Sequence, residues 1–135
     1  MSALFLDANY LIALEVSDDQ HHHDAQQHWA KLLESPPSLV TTSYVLDEVV
    51  TFLNSRHQHS KAVRVGNNLR TASPIQLIHV DEALFEDGWA YFQQHDDKTF
   101  SLTDCISFVL MRKLEIAEAL TFDRHFGQAG FLKLP

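Results

Sequence analysis

Short apolar runs alternate with longer helical segments along this chain, and this alternation limits the folds open to it. The predicted strands share a length of only a few residues and lie at 4–6, 39–41, 75–80, 119–122 and 131–134. The predicted helices lie at 9–16, 22–34, 44–55, 60–71, 82–95 and 103–114. Short apolar strands separated by helices are typical of a parallel sheet that helices cover. The pattern therefore predicts a three-layer α/β/α domain with a mainly parallel central sheet.

The chain is most simply a single domain that spans 1–135. Its 135 residues are enough to bury a core, and its 45% apolar content argues against disorder. The single Cys105 cannot form an internal disulfide, which favours a cytoplasmic location. No basic region precedes the short apolar run that ends before Asp7, so we expect neither a signal peptide nor a membrane span.

Four acidic residues stand where the neighbouring sequence is apolar. Asp7 and Asp123 each follow a predicted strand, Asp104 begins the apolar helix, and Glu48 lies between two apolar pairs. In parallel sheets, ligands bind beyond the carboxyl ends of the strands, which is where Asp7 and Asp123 are expected. Helical periodicity places Glu48 and its neighbour Asp47 on the two borders of one apolar face and does not choose between them.

Three of the four acids also have a structural role open to them. Asp7 can cap the helix that follows, Asp104 can complete a capping box with Ser101, and Asp123 can pair with Arg124 or start a turn. Taken together, however, two charges 4 Å apart repel by about 4 kcal/mol at an effective dielectric constant near 20. A divalent cation would remove this repulsion, and a donor set made of carboxylates points to Mg²⁺, with Mn²⁺ as the alternative, rather than to zinc. Metal-dependent phosphodiester chemistry is therefore the function to test.

The net charge of −8 argues against a nucleic-acid partner, but the charge is unevenly distributed. The segment 49–80 contains no acidic residue. Its basic residues and histidines are Arg56, Lys61, Arg64, Arg70, His57, His59 and His79. Composition leaves open whether this segment presents a basic face to RNA or is an ordinary solvated helix.

Four strings carry a resemblance to a known family. LFLDAN, TSYVLDEVV, SLTDCISFVLM and LTFDRHF, in this order, resemble the PIN-domain nucleases, and especially the VapC-type toxins and their free-standing relatives. The likeness covers nearly the whole chain and implies a PIN-like fold. It places the acidic quartet of the family on Asp7, Glu48, Asp104 and Asp123, so it selects Glu48 over Asp47. The small polar residue that supports the first acid corresponds to Asn9.

The resemblance also implies a function and partners. It implies hydrolysis of RNA by a metal-activated water, an antitoxin partner and a homodimer. The four acids would be the catalytic residues, with Asp7, Asp104 and Asp123 as the main metal ligands and Glu48 as a further ligand that orients the nucleophile. Supporting donors around the metal would be Asn9, Thr103, Ser107 and Thr121. Phosphate contacts away from the cut would come from Arg56, Lys61, Arg64, Lys98 and Arg124.

Two other functions compete with that of a metal-dependent nuclease. A PIN-like RNA-binding or scaffold module would keep the fold with little or no catalysis. A phosphotransfer domain is disfavoured, because Asn9 stands where a second Asp would be expected.

The run 21–23 contains three consecutive histidines, which point about 100° apart on a helix and cannot all face one ion. His125 could donate a proton, but the sequence favours a solvated residue in a turn.

Overall fold

The computed structural model describes residues 3–72 and 74–135. The strands are β1 Leu4–Leu6, β2 Leu39–Thr42, β3 Ile75–Ile78, β4 Glu118–Leu120 and β5 Leu132–Leu134. The helices are α1 Ala8–Glu15, α2 His22–Leu32, α3 Ser43–Ser55, α4 His59–Thr71, α5 Glu82–Gln94, α6 Leu102–Lys113 and α7 Arg124–Gln128. None of the helices within the described ranges is long and apolar enough to cross a membrane.

The five strands form one sheet in the order β3-β2-β1-β4-β5, and each pairing is parallel. The central strand β1 pairs with β2 through Phe5 and Val40, and with β4 through Phe5 and Ala119. Every residue of β1 is buried, because helices cover the sheet. The predicted three-layer α/β/α fold with a parallel sheet is therefore confirmed. The last strand, β5, lies at an edge of the sheet.

Most predicted boundaries are within two residues of the observed ones, and hydrogen bonds explain the differences. The predicted strand 75–80 is too long, since the backbone N–H of Val80 donates to Ser43 Oγ at 2.9 Å instead of continuing the sheet. The predicted strand 119–122 ends early, because the N–H of Phe122 donates to the Asn9 side chain at 3.0 Å. Thr42 caps α3, with its hydroxyl accepting the backbone N–H of Val45 at 3.1 Å.

The helix α6 lies in the core, as its apolar sequence predicts. Its residues from Asp104 to Phe108 are all buried. The neighbouring helix α5 approaches it closely at Gly88, where an added Cβ would lie 3.1 Å from the Cα of Ile106. Since Asp104 is buried in the first turn of α6, the packing of this helix fixes the position of its carboxylate.

Candidate active site

Asp7 lies directly after the central strand, and its side chain faces the neighbouring strand β4. Although Asp7 is in the capping position of α1, its carboxylate makes no capping hydrogen bond, so the capping alternative is wrong for this residue. The residue is only 6% exposed. Its Oδ2 accepts a hydrogen bond from the hydroxyl of Thr121 at 2.8 Å. A buried carboxylate with a single side-chain hydrogen-bond donor beside it is not explained by local structure alone.

Thr121 and Asn9 form the support of Asp7. The Thr121 hydroxyl also lies 3.2 Å from Asn9 Oδ1 and accepts the backbone N–H of Asp123 at 3.0 Å. Asn9 Oδ1 accepts the N–H of Phe122 at 3.0 Å. These contacts connect the ends of β1 and β4 through side chains. The structure thus brings Asp7, Asn9, Thr121 and Asp123 together from two ends of the chain.

Asp104 forms the capping box that the sequence offered as its structural role, and it makes a further contact outside that box. The capping box is present: the N–H of Asp104 donates to Ser101 Oγ at 3.0 Å, and the N–H of Ser101 donates to Asp104 Oδ2 at 3.2 Å. The same Oδ2 lies 3.2 Å from Nδ1 of His125. Asp104 is 8% exposed. The capping box therefore holds this carboxylate in place rather than accounting for all its contacts.

Asp123 is the N-cap residue of the short helix α7, where the sequence predicts only a turn. Its Oδ1 accepts the backbone N–H of His125 at 2.9 Å and lies 3.3 Å from the imidazole Nδ1 of the same residue. One ligand atom each from Asp104, Asp123 and His125 lies within 4.8 Å of the others. These three side chains can therefore contact a single cation.

His125 is the site residue that sequence reasoning missed. Its side chain is 17% exposed and sits between two carboxylates, so the interpretation as a solvated turn residue is wrong. Its Nε2 lies 3.2 Å from the hydroxyl of Thr99. The signal in the sequence was the spacing of Asp123 and His125, since a residue two positions after a helix cap can fold back on the capping carboxylate.

Glu48 lies at the rim of the site, on α3. It lines a cleft of about 650 Å³ together with Thr103, Asp47 and neighbouring residues of α3. Although Glu48 is exposed on its outer side, the surrounding protein raises the pKa of its carboxyl by desolvation. The charges of Asp104 and Asp123 raise this pKa further. Glu48 is therefore electrostatically part of the cluster, at the side that opens to solvent.

The pKa values of the inner carboxyls are raised by burial and by mutual repulsion. Desolvation raises the pKa of Asp7 to about 7; the charges of Asp104 and Glu48 add to the rise, and the hydrogen bond from Thr121 opposes it. Burial, followed by the charge of Asp123, also raises the pKa of Asp104, against hydrogen bonds from Ser101 and His125. Oxygen donors that are crowded and desolvated in this way fit a hard divalent cation.

The remaining supporting candidates occupy different places. Thr103 borders the same cleft as Glu48. The hydroxyl of Ser107 donates to the carbonyl oxygen of Thr103 at 2.9 Å, so its only proton is used within α6. Ser107 therefore steadies the first turn of the helix that bears Asp104, and its hydroxyl has no proton left to donate to a carboxylate.

Three of the candidate phosphate-binding residues contact the protein itself. Lys61 Nζ donates to the carbonyl oxygen of Glu15 at 2.8 Å, and Arg64 pairs with the carboxylate of the same residue at 2.9 Å. Arg56 lies 3.8 Å from Asp18 and stacks over a ring of α3. These side chains connect α3 and α4 to the end of α1, and they do not converge on the acids.

Lys98 and Arg124 lie nearer to the acids in the chain and in the fold. Arg124 is exposed and directly follows Asp123. Lys98 pairs with Asp97 at 2.8 Å and precedes Thr99, whose hydroxyl approaches His125. Of the five basic candidates, these two directly adjoin in sequence a residue that belongs to the acidic cluster or contacts it.

The three consecutive histidines do not form a metal cluster. His21 stacks on the ring of Phe122, with centroids 4.2 Å apart. His22 Nδ1 hydrogen-bonds to the carbonyl oxygen of Ala13 at 2.7 Å. Their side chains thus have separate partners, as the 100° rotation between successive helical residues predicts.

Comparisons with known proteins agree with this fold. The PIN domain family model matches residues 4–132. The chain is 34% identical over 131 residues to the 23S rRNA-specific endonuclease VapC20 of Mycobacterium tuberculosis, in strains CDC 1551 / Oshkosh and ATCC 25618 / H37Rv. The match spans 97% of this chain and 97% of the relative.

Solved structures show the same fold. The crystal structure of M. tuberculosis VapC20, described as a toxin that cleaves the sarcin-ricin loop, superposes with a TM-score of 0.88 at 34% identity, covering 97% of this chain and 98% of that one. A toxin–antitoxin complex from Klebsiella pneumoniae gives a TM-score of 0.62 at 21% identity, covering 90% and 87%. FitAB bound to a DNA fragment gives 0.63 at 14% identity, covering 97% and 93%. The predicted resemblance is confirmed, and this chain belongs to the PIN-domain family.

Proposed function

We propose that this protein is a divalent-metal-dependent endoribonuclease that works as a single PIN-like domain over residues 1–135. One observation carries the proposal: ligand atoms of Asp104, Asp123 and His125 lie within 4.8 Å of one another, beside the buried Asp7. Such a cluster is costly without a cation, and the similarity to an rRNA-specific endonuclease supports phosphodiester hydrolysis as its use.

In this proposal Asp7, Asp104 and Asp123 hold Mg²⁺, or Mn²⁺ as the alternative. A cation bound there would lower the pKa of a coordinated water and offset negative charge on the phosphate. Glu48, at the solvent side of the cleft, would accept a hydrogen bond from the attacking water and so orient it. No side chain is required as the nucleophile.

Three further residues position the acids rather than react. The hydroxyl of Thr121 donates to Asp7 Oδ2, and Asn9 holds the backbone that leads from β4 to Asp123. His125 lies between Asp104 and Asp123 and sets the separation of their carboxylates. Contacts of this kind keep ligands oriented for a cation.

RNA is the proposed substrate, and Lys98 and Arg124 are the proposed phosphate contacts nearest to the acids. More distant phosphate contacts would come from Arg56, Lys61 and Arg64. Each of these residues would first have to break its present contact within the protein. By analogy with the solved structure that is described as a toxin, an antitoxin would bind this protein. The other proposed partner is a second copy of this chain, since a homodimer would lengthen the RNA-binding surface. The proposed place of action is the cytoplasm.

The test is cleavage of RNA by the purified protein with Mg²⁺ or Mn²⁺, compared with Asp7→Asn and Asp104→Asn. The matched control is Asp47→Asn, an exposed acid beside Glu48. Cleavage by the wild type and the control but by neither site variant is the expected result. Equal cleavage by all four proteins would refute the assignment. Retained RNA binding with no cleavage by the wild type would instead favour an RNA-binding or scaffold module.

A further inference from the structure

A second cavity is lined in part by Phe122, the residue between Thr121 and Asp123 of the acidic site. Its volume is about 560 Å³. It is lined by His21, Asp24, Gln27, His28, Lys31, Phe122 and Pro135. None of these residues belongs to the acidic site, and the proposed hydrolysis uses none of them. The cavity therefore needs an explanation of its own.

Aromatic rings stacked from the core outwards form one wall. The rings of His21 and Phe122 are stacked, with centroids 4.2 Å apart and planes 3° from parallel. The ring of Tyr10 continues the stack beneath Phe122, at 5.8 Å and 15°. Tyr10 is fully buried, and its hydroxyl hydrogen-bonds to Nδ1 of His28 at 2.8 Å. The stack is thus anchored in the core, while its two outer rings border the cavity.

The stack is joined directly to the acidic site. Phe122 lies between Thr121, which donates to Asp7, and Asp123. The backbone N–H of Phe122 is held by Asn9 at 3.0 Å. A strand whose phosphate lies at the acids can therefore place a neighbouring nucleotide against these rings.

The polar groups of the cavity suit a base better than a phosphate. Gln27 offers both a donor and an acceptor, and Lys31 offers donors. Asp24 would repel a phosphate but can accept from the N–H groups of a base edge. Because Nδ1 of His28 is occupied by Tyr10, only its Nε2 is left for a ligand. Flat rings beside mixed donors and acceptors are the features by which proteins hold unstacked RNA bases.

We propose that this cavity is a subsite for one unpaired nucleobase of the RNA, next to the phosphate that is cut. The inference rests on the proposed function for its substrate. It adds that the enzyme requires a base splayed out of the RNA stack near the cleavage point, so a fully paired duplex would be a poor substrate.

The test measures the Kd of a short single-stranded RNA in EDTA, where binding is observed without cleavage. His21→Ala should weaken binding at least about fivefold, the lower end of the range for losing the stacking of one base. Gln27→Ala should weaken it about two- to tenfold, the range for losing one hydrogen bond. The matched controls are His23→Ala and Gln26→Ala, exposed neighbours on the same helical segment that do not line the cavity. They should bind within about twofold of the wild type. Thermal unfolding of each variant checks that it is folded, and the exposed Gln27 provides a test that does not depend on the stack.

A second arm replaces one base at a time by an abasic nucleotide. At one position the abasic RNA should bind the wild type and His21→Ala equally, because the contact is already lost. If His21→Ala and Gln27→Ala bind intact RNA as tightly as the controls, the subsite does not exist. If the effect of His21→Ala is the same for every abasic RNA, no base is being held. A protein that shows the base-dependent binding but never cuts RNA would contradict the proposed function alone.

Discussion

The acidic site and the basic segment 49–80 use charge in opposite ways. The acids are far apart in the sequence, yet the parallel sheet brings Asp7 and Asp123 to one edge, where they meet Asp104. The basic residues are close in sequence but bind elsewhere, as Lys61 and Arg64 both do at Glu15. Convergence is therefore set by the topology of the sheet and not by clustering along the chain.

The two regions also differ in what their charges contribute. The pairs made by Arg56 and Arg64 are exposed, and such surface pairs contribute about 0–1 kcal/mol each to folding. The inner acids are buried beside each other, where burial and repulsion raise the pKa values of Asp7 and Asp104. The ion pairs of the basic segment therefore contribute little to the free energy of folding. The acidic site keeps an electrostatic repulsion that a bound ligand can relieve.

The pH dependence of folding should separate the two regions most strongly. The pKa of Asp7 is about 7 in the metal-free fold, above its ordinary value of 3.8, so the folded state binds a proton that the unfolded state releases. Its contribution to the free energy of unfolding is fully present below about pH 4 and is lost as the pH rises through about 7, up to about 4 kcal/mol. Chemical denaturation in EDTA from pH 4 to 8 should show this slope reduced in Asp7→Asn. An unchanged slope in that variant would contradict the raised pKa.

Substitution of adjacent acids should have unequal effects on catalysis. Glu48→Gln is expected to lower kcat for RNA cleavage about a hundredfold, because a group that orients the attacking water loses its charge. Asp47→Asn, which changes an exposed acid one residue away, should stay near the wild-type rate. Initial rates in saturating Mg²⁺ measure both. Similar losses in the two variants would mean that net charge at the cleft, and not Glu48 itself, matters.

Removing the hydrogen bond to Asp7 should weaken cation binding about 10- to 100-fold, as loss of a supporting contact does. Thr121→Val removes this donor and keeps the side-chain shape. Thr41→Val is the control, since Thr41 is also buried at a strand end but donates to the carbonyl oxygen of Leu6 at 2.8 Å. Titration calorimetry with Mn²⁺ compares them. Equal weakening in both variants would point to general destabilisation.

Basic residues should have the smallest effects, and these should depend on position. We expect Lys98→Ala and Arg124→Ala each to raise KM for RNA several-fold. KM should also depend less steeply on salt concentration in these variants than in the wild type. Lys61→Ala should change stability by about 1 kcal/mol and KM little, because Lys61 is bound to Glu15. Measurement of KM for each variant at two salt concentrations distinguishes the two groups of residues. A larger rise in KM for Lys61→Ala than for Lys98→Ala would contradict this order and would mean that the segment 49–80 forms the RNA-binding face.

The sequence was sufficient for the fold, since short apolar strands separated by helices leave few topologies. It also placed Asp7 and Asp123 at one sheet edge, because each follows a strand. Choosing Glu48 over Asp47 required the family resemblance, since periodicity is symmetric about that face. His125 was missed because its position depends on α7, a five-residue helix without an apolar repeat. Contacts between residues that are far apart in the sequence, such as Lys61 and Glu15, produce no local sequence pattern from which they could be predicted.

The cation site itself is tested most directly by thermal unfolding during titration with Mg²⁺ and Mn²⁺ at pH 7.5. The wild type and Asp47→Asn should gain stability with each metal, by about 2.7 kcal/mol at a hundred times the Kd. Asp7→Asn and Asp104→Asn should gain little, because the remaining carboxylates no longer hold the ion. If all four proteins are stabilised equally, or none is, the four acids do not form a divalent-cation site.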